Sequence, residues 1–286
     1  MNCDYSFGNL YNWGFYYKTE VSFHKGMMVV RFESEEGQRP AYLMPIPESS
    51  DLPEERVAEV LEDMELSMLS NGHPLTIMAV SAEGVDFLRK TYPELLHVLS
   101  SRDYSDYVYL RERLATLSGK KLQKRRNHVN RFRKQYPDYQ YEEISDANVE
   151  ECYQLEREWY DQSAQSSDIT EERRMVETAL REYKEIGLMG GAIRAEGKII
   201  AFSLGMAINP DCFGVHIEKA DPSIDGAFAI MTQEFAKHIP EQYTYVNREE
   251  DLGVEGLRRA KLALRPVKIL DKHTVMMTYD PEGECR

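Results

Sequence analysis

Between Lys120 and Lys134 the sequence places eight Lys or Arg residues and no acid. Lys120, Lys124, Asn127, Arg131 and Lys134 recur at steps of three and four, which on a helix makes one cationic, hydrogen-bonding face, with Lys121 beside it. Arg125 and Arg126 fall between the apolar Leu122 and Val129, so their heads must leave the edge of the buried stripe. Planar guanidinium forks held at such a border suit phosphate or carboxylate, which they bind bidentately. The plainer reading is a solvated face balanced by nearby acids such as Glu142 and Glu143.

A second pattern lies at two strand ends. Val215-His216-Ile217-Glu218-Lys219-Ala220-Asp221 runs into a helix start at Asp225-Gly226-Ala227, with Asp225 as the expected cap. Tyr243-Thr244-Tyr245-Val246-Asn247-Arg248-Glu249-Glu250-Asp251 runs into the next. In open α/β sheets ligands gather at the carboxyl ends of strands, beside helix N-termini. Glu218, Glu249 and Asp251 are therefore candidates for a base or for orienting an amine. Lys219, Arg248 and Lys261 are candidates for holding a carboxylate or phosphate, with Asn247 and Gly226 alongside. On the last helix Gly253, Leu257, Ala260 and Leu264 form the expected buried stripe, leaving Arg258 and Lys261 on its flanks. A structural salt-bridge network is the competing account. The opening aromatics Phe7, Tyr11, Trp13, Phe15, Tyr16 and Tyr17 could line a pocket, although ordinary packing accounts for them better.

These residues need a scaffold, and the chain supplies two successive αβ patterns. Met27–Glu33 and Arg39–Ile46 read as a hairpin around the polar Ser34–Gln38, and a helix follows from Pro53 to Ser70. Leu75–Val80, a helix capped by Ser81, Leu95–Leu99 and Tyr107–Leu110 complete the first half. Gly119–Tyr136 is the basic helix, with Leu122, Val129, Phe132 and Tyr136 inward and Pro137 as its stop. The second half reads strand, helix, helix, three strands, helix, strand, helix and a final strand pair from Pro266 to Tyr279. That is the order of the GNAT (N-acetyltransferase-like) fold. We therefore expect a mixed α/β (α+β) protein of two tandem GNAT-like domains with mixed central sheets. Their bounds are residues 1–118 and 138–286, with the basic connecting helix at 119–137.

The bulk numbers narrow the classes. At 286 residues two domains are the default, and the net charge of −14 argues against indiscriminate nucleic-acid binding, leaving a local basic patch on an acidic body. No apolar run approaches the ~20 residues of a membrane helix, and the start lacks a signal region, so a cytoplasmic protein without membrane insertion is expected. Cys3, Cys152, Cys212 and Cys285 are scattered, without CxxC, and the seven histidines never take metal-ligand spacing, so no metal site or disulfide framework is expected. GxSxG, GxxxxGK[ST] and HExxH are all absent.

Four segments together resemble a known bacterial family. They are Ser6-Phe7-Gly8-Asn9-Leu10-Tyr11-Asn12-Trp13, the run Lys120–Phe132, Glu218-Lys219-Ala220-Asp221 and Asn247-Arg248-Glu249-Glu250-Asp251-Leu252-Gly253. They look like an uncharacterised family allied to the C-terminal catalytic domain of phosphatidylglycerol lysyltransferases, with the Fem-type peptidyl transferases as further relatives. The resemblance implies two GNAT-like domains joined through the basic helix, transfer of an aminoacyl group from tRNA, and tRNA held on Lys120–Lys134. The lysyltransferases carry an N-terminal membrane domain that is not found here, which argues against a lipid acceptor. The chain also opens directly on the aromatic motif, without the strand and helix portion that the resemblance leads one to expect before it, which leaves open whether its start lies upstream.

The leading expectation is thus an acyltransferase moving an aminoacyl group from aminoacyl-tRNA to an amine or hydroxyl. An acetyl-CoA-dependent N-acetyltransferase and an inactive tandem GNAT binding module are the alternatives, with acetyl-CoA the cofactor of the first. GNAT enzymes cradle the CoA pyrophosphate with backbone amides of a Q/R-x-x-G-x-G/A turn. Here Ser223 replaces the Gln or Arg, Phe228 replaces the small residue, and Asp225 brings a negative charge to the turn. Those departures weigh against CoA.

Overall fold

The computed structural model of the chain describes residues 1–33, 39–49, 51–93, 96–162 and 167–277. By contacts they form two compact units. The larger comprises Met1–Asn12 and Asp106–Ile269, the smaller Trp13–Ser105 and the chain from Leu270 onward. After a 3-10 turn at Cys3–Tyr5 comes α1 (Phe7–Asn12), in the larger unit. The smaller unit then takes α2 (Gly14–Tyr17), β1 (Glu20–His24), β2 (Met27–Glu33), β3 (Pro40–Tyr42), β4 (Ile46–Pro47), α3 (Glu54–Ser70), β5 (Thr76–Val80), α4 (Ala82–Thr91) and β6 (Leu96–Ser100). The larger resumes with β7 (Asp106–Leu110), α5 (Arg111–Thr116), α6 (Gln123–Gln135), β8 (Gln140–Glu143), α7 (Val149–Gln162) and α8 (Ser167–Ile186). It ends with β9 (Met189–Ala195), β10 (Lys198–Asn209), β11 (Cys212–Ala220), α9 (Ala227–His238), β12 (Tyr245–Asn247), α10 (Glu255–Ala263) and β13 (Lys268–Leu270). β14 (His273–Met277) returns to the smaller unit.

The smaller unit builds the sheet β1-β2-β3-β5-β14-β6, with β4 also on β2. It is mixed, because β3 and β5 run parallel while β14 is antiparallel to both β5 and β6. α3 follows the sequence closely: Pro53 stands at its cap, Glu54 and Glu55 meet the positive end of its dipole, and Val60, Leu61, Met64 and Met68 are buried. At α4 the Ser81 hydroxyl accepts from Gly84 N at 3.1 Å, as its residue type predicts. β1 was not expected, and Arg39–Ile46 is divided between two short strands. The turn expected at Ser34–Gln38 and Cys285 lie outside the described residues.

The larger unit builds the sheet β13-β7-β12-β11-β10-β9-β8. β11 and β12 are parallel and pair only through Cys212–Gly214 with Tyr245–Asn247. Beyond Gly214, β11 runs on to Ala220 without β12 beside it, so the sheet opens there. On one face α6 and α9 bury Val129, Phe132, Ile230, Met231 and Phe235 against Phe213 and Val215. Asp225 does not cap α9; Gly226 does, at φ +89°, a conformation that costs glycine little.

The bounds at 118 and 137 do not coincide with the compact units, and hydrogen bonding gives the reason. β7, expected in the first half, pairs antiparallel with β12 in the second. β14, expected in the second half, lies between β5 and β6. The basic helix packs on α9 as part of the larger unit. No helix among the described residues is long and apolar enough to cross a membrane.

Candidate functional site

Where β11 parts from β12, the larger unit holds a cavity of about 470 Å³. Glu218, Lys219, Arg248 and Glu249 all line it, joined by His216, Glu172, Arg125 and Lys261. The local cause of this geometry is a β-bulge. The β10–β11 register slips between Leu204 and Gly205, which pair with Ile217 and Val215, and His216 is the extra residue. Gly205 is needed there, since a Cβ would stand 2.2 Å from the Gly214 carbonyl oxygen.

The charged groups are paired rather than loose. Glu218 accepts from Arg248 Nη2 at 2.6 Å, Thr232 Oγ1 at 2.9 Å and Ser203 Oγ at 3.4 Å. His216 Nδ1 lies 2.8 Å from Glu249 Oε1. Lys219 donates to Glu172 at 2.9 Å, and its ammonium sits 3.7 Å from the centre of the Trp159 ring. Behind it the fully buried Glu156 is 3.9 Å away, with no hydrogen bond to either carboxylate oxygen among the described residues. Burial pushes the Glu156 carboxyl up to about 7, against the opposing pull of Lys219. Lys261 donates to the carbonyls of Arg248 and Glu250, and burial holds its ammonium below the ordinary lysine value.

Other candidates are placed elsewhere. Asp251 does not line the cavity. It accepts from Arg258 Nε and Nη2, both at 2.8 Å, and from the Tyr107 hydroxyl, and the guanidinium holds it well below the usual carboxylate range. Asn247 is also buried: it donates to Asp106 Oδ2 and Met1 O, and accepts from Glu249 N at 2.7 Å. These residues brace the strand end. The α10 stripe is not buried. Among its members only Leu264 is, whereas Leu257, Ala260 and Leu264 line the cavity wall.

Lys120 and Lys121, in the 3-10 turn that leads into α6, and Lys124 and Asn127 on α6 are exposed. The balancing acids are not Glu142 and Glu143: Arg131 pairs with Asp225 at 2.8 Å, Arg133 with Glu234 at 2.8 Å, and Glu142 with Arg194 at 2.6 Å. Arg126 turns back to the carbonyls of Leu117 and Gly119. Arg125 differs. It lines the large cavity and also a smaller one of about 270 Å³ at the start of α9, beside His128, Asp225 and Gly226. Its one hydrogen bond among the described residues goes to the Ala260 carbonyl, at 3.1 Å. Burial first, and then the neighbouring Arg248, lower its pKa, while Glu218 and Tyr109 pull the other way.

Sequence reasoning did not single out His216, Ser6, Glu172, Glu156 or Trp159. His216 had one visible signal, its place two residues before Glu218 on one strand. Glu156 and Trp159 sit at helical spacing among apolar residues and read as core. Phe7 and Tyr11 neither line the cavity nor enter the core; their exposed rings meet at a tilt of 47°, with centres 5.7 Å apart. Cys3, Asp106 and Glu250 bring ligand-type atoms within 4.8 Å of one another, but Asp106 Oδ2 there already accepts from Cys3 N and Asn247 Nδ2.

The two mixed sheets, each with its helices, make this a tandem GNAT-like protein. The chain belongs to the family described as phosphatidylglycerol lysyltransferase, C-terminal, which it matches over residues 1–276. A conserved protein of unknown function from Bacteroides thetaiotaomicron is 43% identical, with a TM-score of 0.90 over 97% of this chain and 92% of that one. The L-PGS of Bacillus licheniformis is 17% identical, with a TM-score of 0.64 over 95% of this chain and 88% of that one. The C-terminal domain of a protein described as a lysylphosphatidylglycerol synthetase, from Agrobacterium fabrum, is 14% identical, at 0.68 over 96% and 88%. The last two likenesses concern the fold.

Proposed function

We propose that this chain is a cytoplasmic acyltransferase that takes an aminoacyl group from aminoacyl-tRNA and passes it to an amine or hydroxyl. Family membership supports acyl transfer, and the family's name makes lysyl the first group to test. The observation that carries the donor assignment is Arg125. It rises from the cationic helix, has no carboxylate partner among the described residues, and reaches the cavity that holds Glu218, Lys219, Arg248 and Glu249. A guanidinium with no direct carboxylate partner, between a basic face and the cavity, suits a polyanion whose reactive end enters the cavity.

An aminoacyl ester already carries the energy for transfer, so the protein need only orient the acceptor, take its proton and stabilise the oxyanion. Lys219 and Arg248 are the candidate oxyanion donors in this cavity, and the Gly226 amide, which lines the smaller cavity, is a third. Glu218 or Glu249 is the candidate proton acceptor. The smaller cavity at the start of α9 keeps acetyl-CoA as a second reading, because a diphosphate suits a helix N-terminus. Against it stands Asp225, whose carboxylate already occupies Arg131 and lies 3.5 Å from His128.

Binding of lysyl-tRNA against salt tests the reading. Wild type should show a log–log slope of about −0.7 to −0.9 per phosphate contacted, and Lys120→Ala/Lys121→Ala/Lys124→Ala should flatten it by two to three such steps. A thermal shift with acetyl-CoA and none with lysyl-tRNA would reverse the ranking, since a ligand at 100 times its Kd stabilises by about 2.7 kcal/mol.

A further inference from the structure

Glu218 and Glu249 face the same cavity, yet their surroundings differ. The Glu218 oxygens already take hydrogen bonds from Arg248, Thr232 and Ser203. Glu249 uses one oxygen, Oε1, toward His216, and its Oε2 has no hydrogen bond among the described residues. One-fifth of the Glu249 side chain is exposed, against 1% of His216. The carboxylate is also aimed by its backbone. Glu249 sits at φ +58°, a left-handed conformation unusual for a side-chain-bearing residue, held by Asn247 Oδ1 on its N–H and by Tyr107 N on its carbonyl.

Behind His216 stands a third group. Its Nε2 lies 3.3 Å from the Ser6 hydroxyl, on the turn into α1. That hydroxyl oxygen accepts from Asn9 N at 3.2 Å, so its hydrogen is free to point at Nε2. A neutral imidazole with its hydrogen on Nε2 would turn a bare Nδ1 toward a bare carboxylate. With the hydrogen on Nδ1, both contacts are satisfied at once. Gly8 lets α1 approach this closely, since a Cβ there would meet Met206 Sδ at 2.8 Å and His216 Cδ2 at 3.6 Å.

We propose that Ser6 and His216 are positioning residues that hold the Glu249 carboxylate as the proton acceptor of this cavity. The proposal rests on the acyl-transfer reading and chooses between the two acids that reading left open. As the acceptor N–H or O–H attacks the ester carbonyl, its proton passes to Glu249 Oε2. The new acyl bond forms, the ester C–O bond breaks, and the same proton goes to the departing ribose oxygen, which restores the carboxylate. His216 keeps its Nδ1–H on Glu249 Oε1 throughout, with Nε2 held by Ser6. The arrangement orients a base as a buried acid orients the imidazole of a hydrolytic triad, with the roles of acid and imidazole exchanged.

Two measurements on the full chain test this. Long-range ¹⁵N spectra of histidine-labelled protein, with His216 assigned by its loss in His216→Asn, should show the neutral Nδ1–H form near pH 7.5. Ser6→Ala should shift the population toward Nε2–H and Ser6→Thr, which keeps the hydroxyl, should not. In transfer from lysyl-tRNA to glycinamide, Ser6→Ala should lower kcat about tenfold with KM unchanged, Ser6→Thr should restore it, and Glu249→Gln should lower kcat on the order of 10²-fold or more. An Nε2–H or doubly protonated His216 in wild type overturns the proposal, as does a Ser6→Ala protein that transfers like wild type. If wild type transfers nothing, the aminoacyl-tRNA reading fails on its own, and the Ser6–His216–Glu249 arrangement stands or falls on the imidazole spectrum.

Discussion

The two units share an architecture and differ in what they bury. The smaller closes its sheet over Met27, Leu61, Leu75, Ile77 and Leu88, and its ion pairs Lys18–Glu33, Arg31–Glu20 and Lys25–Asp63 stay at the surface. The larger buries Asp106, Glu156, His216, Lys219, Glu234, Asn247 and Asp251. Buried charge is costly unless paired, and it seldom persists where a well-packed apolar core would serve. The smaller unit buries one charged residue, Lys272, so buried charge is concentrated in one copy of a repeated fold. That concentration separates scaffold from site: the sheet order makes the opening available, and the polar residues of β11 and β12 make it chemical.

The contrast is tested directly by Asp251→Ala, which removes the carboxylate that Arg258 and the Tyr107 hydroxyl donate to. We expect a loss of about 2–3 kcal/mol by denaturant titration, below the ~3–5 kcal/mol of a fully buried pair because Arg258 keeps a third of its side chain in solvent. The sign with pH follows from a depressed carboxyl. The Asp251 contribution is full above about pH 4 and is lost as pH falls below that. Leu61→Ala in the smaller unit should cost a similar ~2–5 kcal/mol through a cavity, with no pH dependence of its own. If both losses vary alike with pH, the distinction between the units is lost.

Glu156 sharpens the comparison, because its slope runs the other way. With a raised carboxyl the folded state holds a proton that the unfolded chain has released. Its contribution therefore makes stability fall as pH rises from about 4.5 to about 7, by about 3 kcal/mol, and change no further above that. Glu156→Gln, which keeps the shape, should remove this slope. Stability curves of wild type and variant that stay parallel between pH 4.5 and 7 would show that the carboxyl titrates as an ordinary glutamate. The smallest effect belongs to the smaller unit: Ser81→Ala removes the cap of α4 and should cost about 1 kcal/mol at any pH near neutral.

Much of this was legible in the sequence. The Pro53 and Ser81 starts, the apolar stripe of α6 and the charged ends of β11 and β12 are local signals, and each appears where its residues put it. What local reading missed is long-range pairing. Tyr107–Leu110 reads as a strand, but nothing in those residues says that β12 is its partner. The same limit hid His216, because its importance depends on a bulge opposite Gly205 and on a serine 210 positions away in the chain. Asp251 failed for another reason: its dense charge looked like a site, whereas Arg258 and Tyr107 consume it.

The strand exchange also sets a timetable for synthesis. β14 lies between β5 and β6, so the smaller sheet cannot close until the last strand of the described chain has been made. Residues 13–105 are complete some 170 residues earlier, roughly ten to thirty seconds at ~5–20 residues per second. Through that interval the emerging chain carries β5 with an unpaired edge, the feature that invites pairing with other chains. A chain that ends before β14 is therefore expected to keep the edges of β5 and β6 open to pairing with other chains.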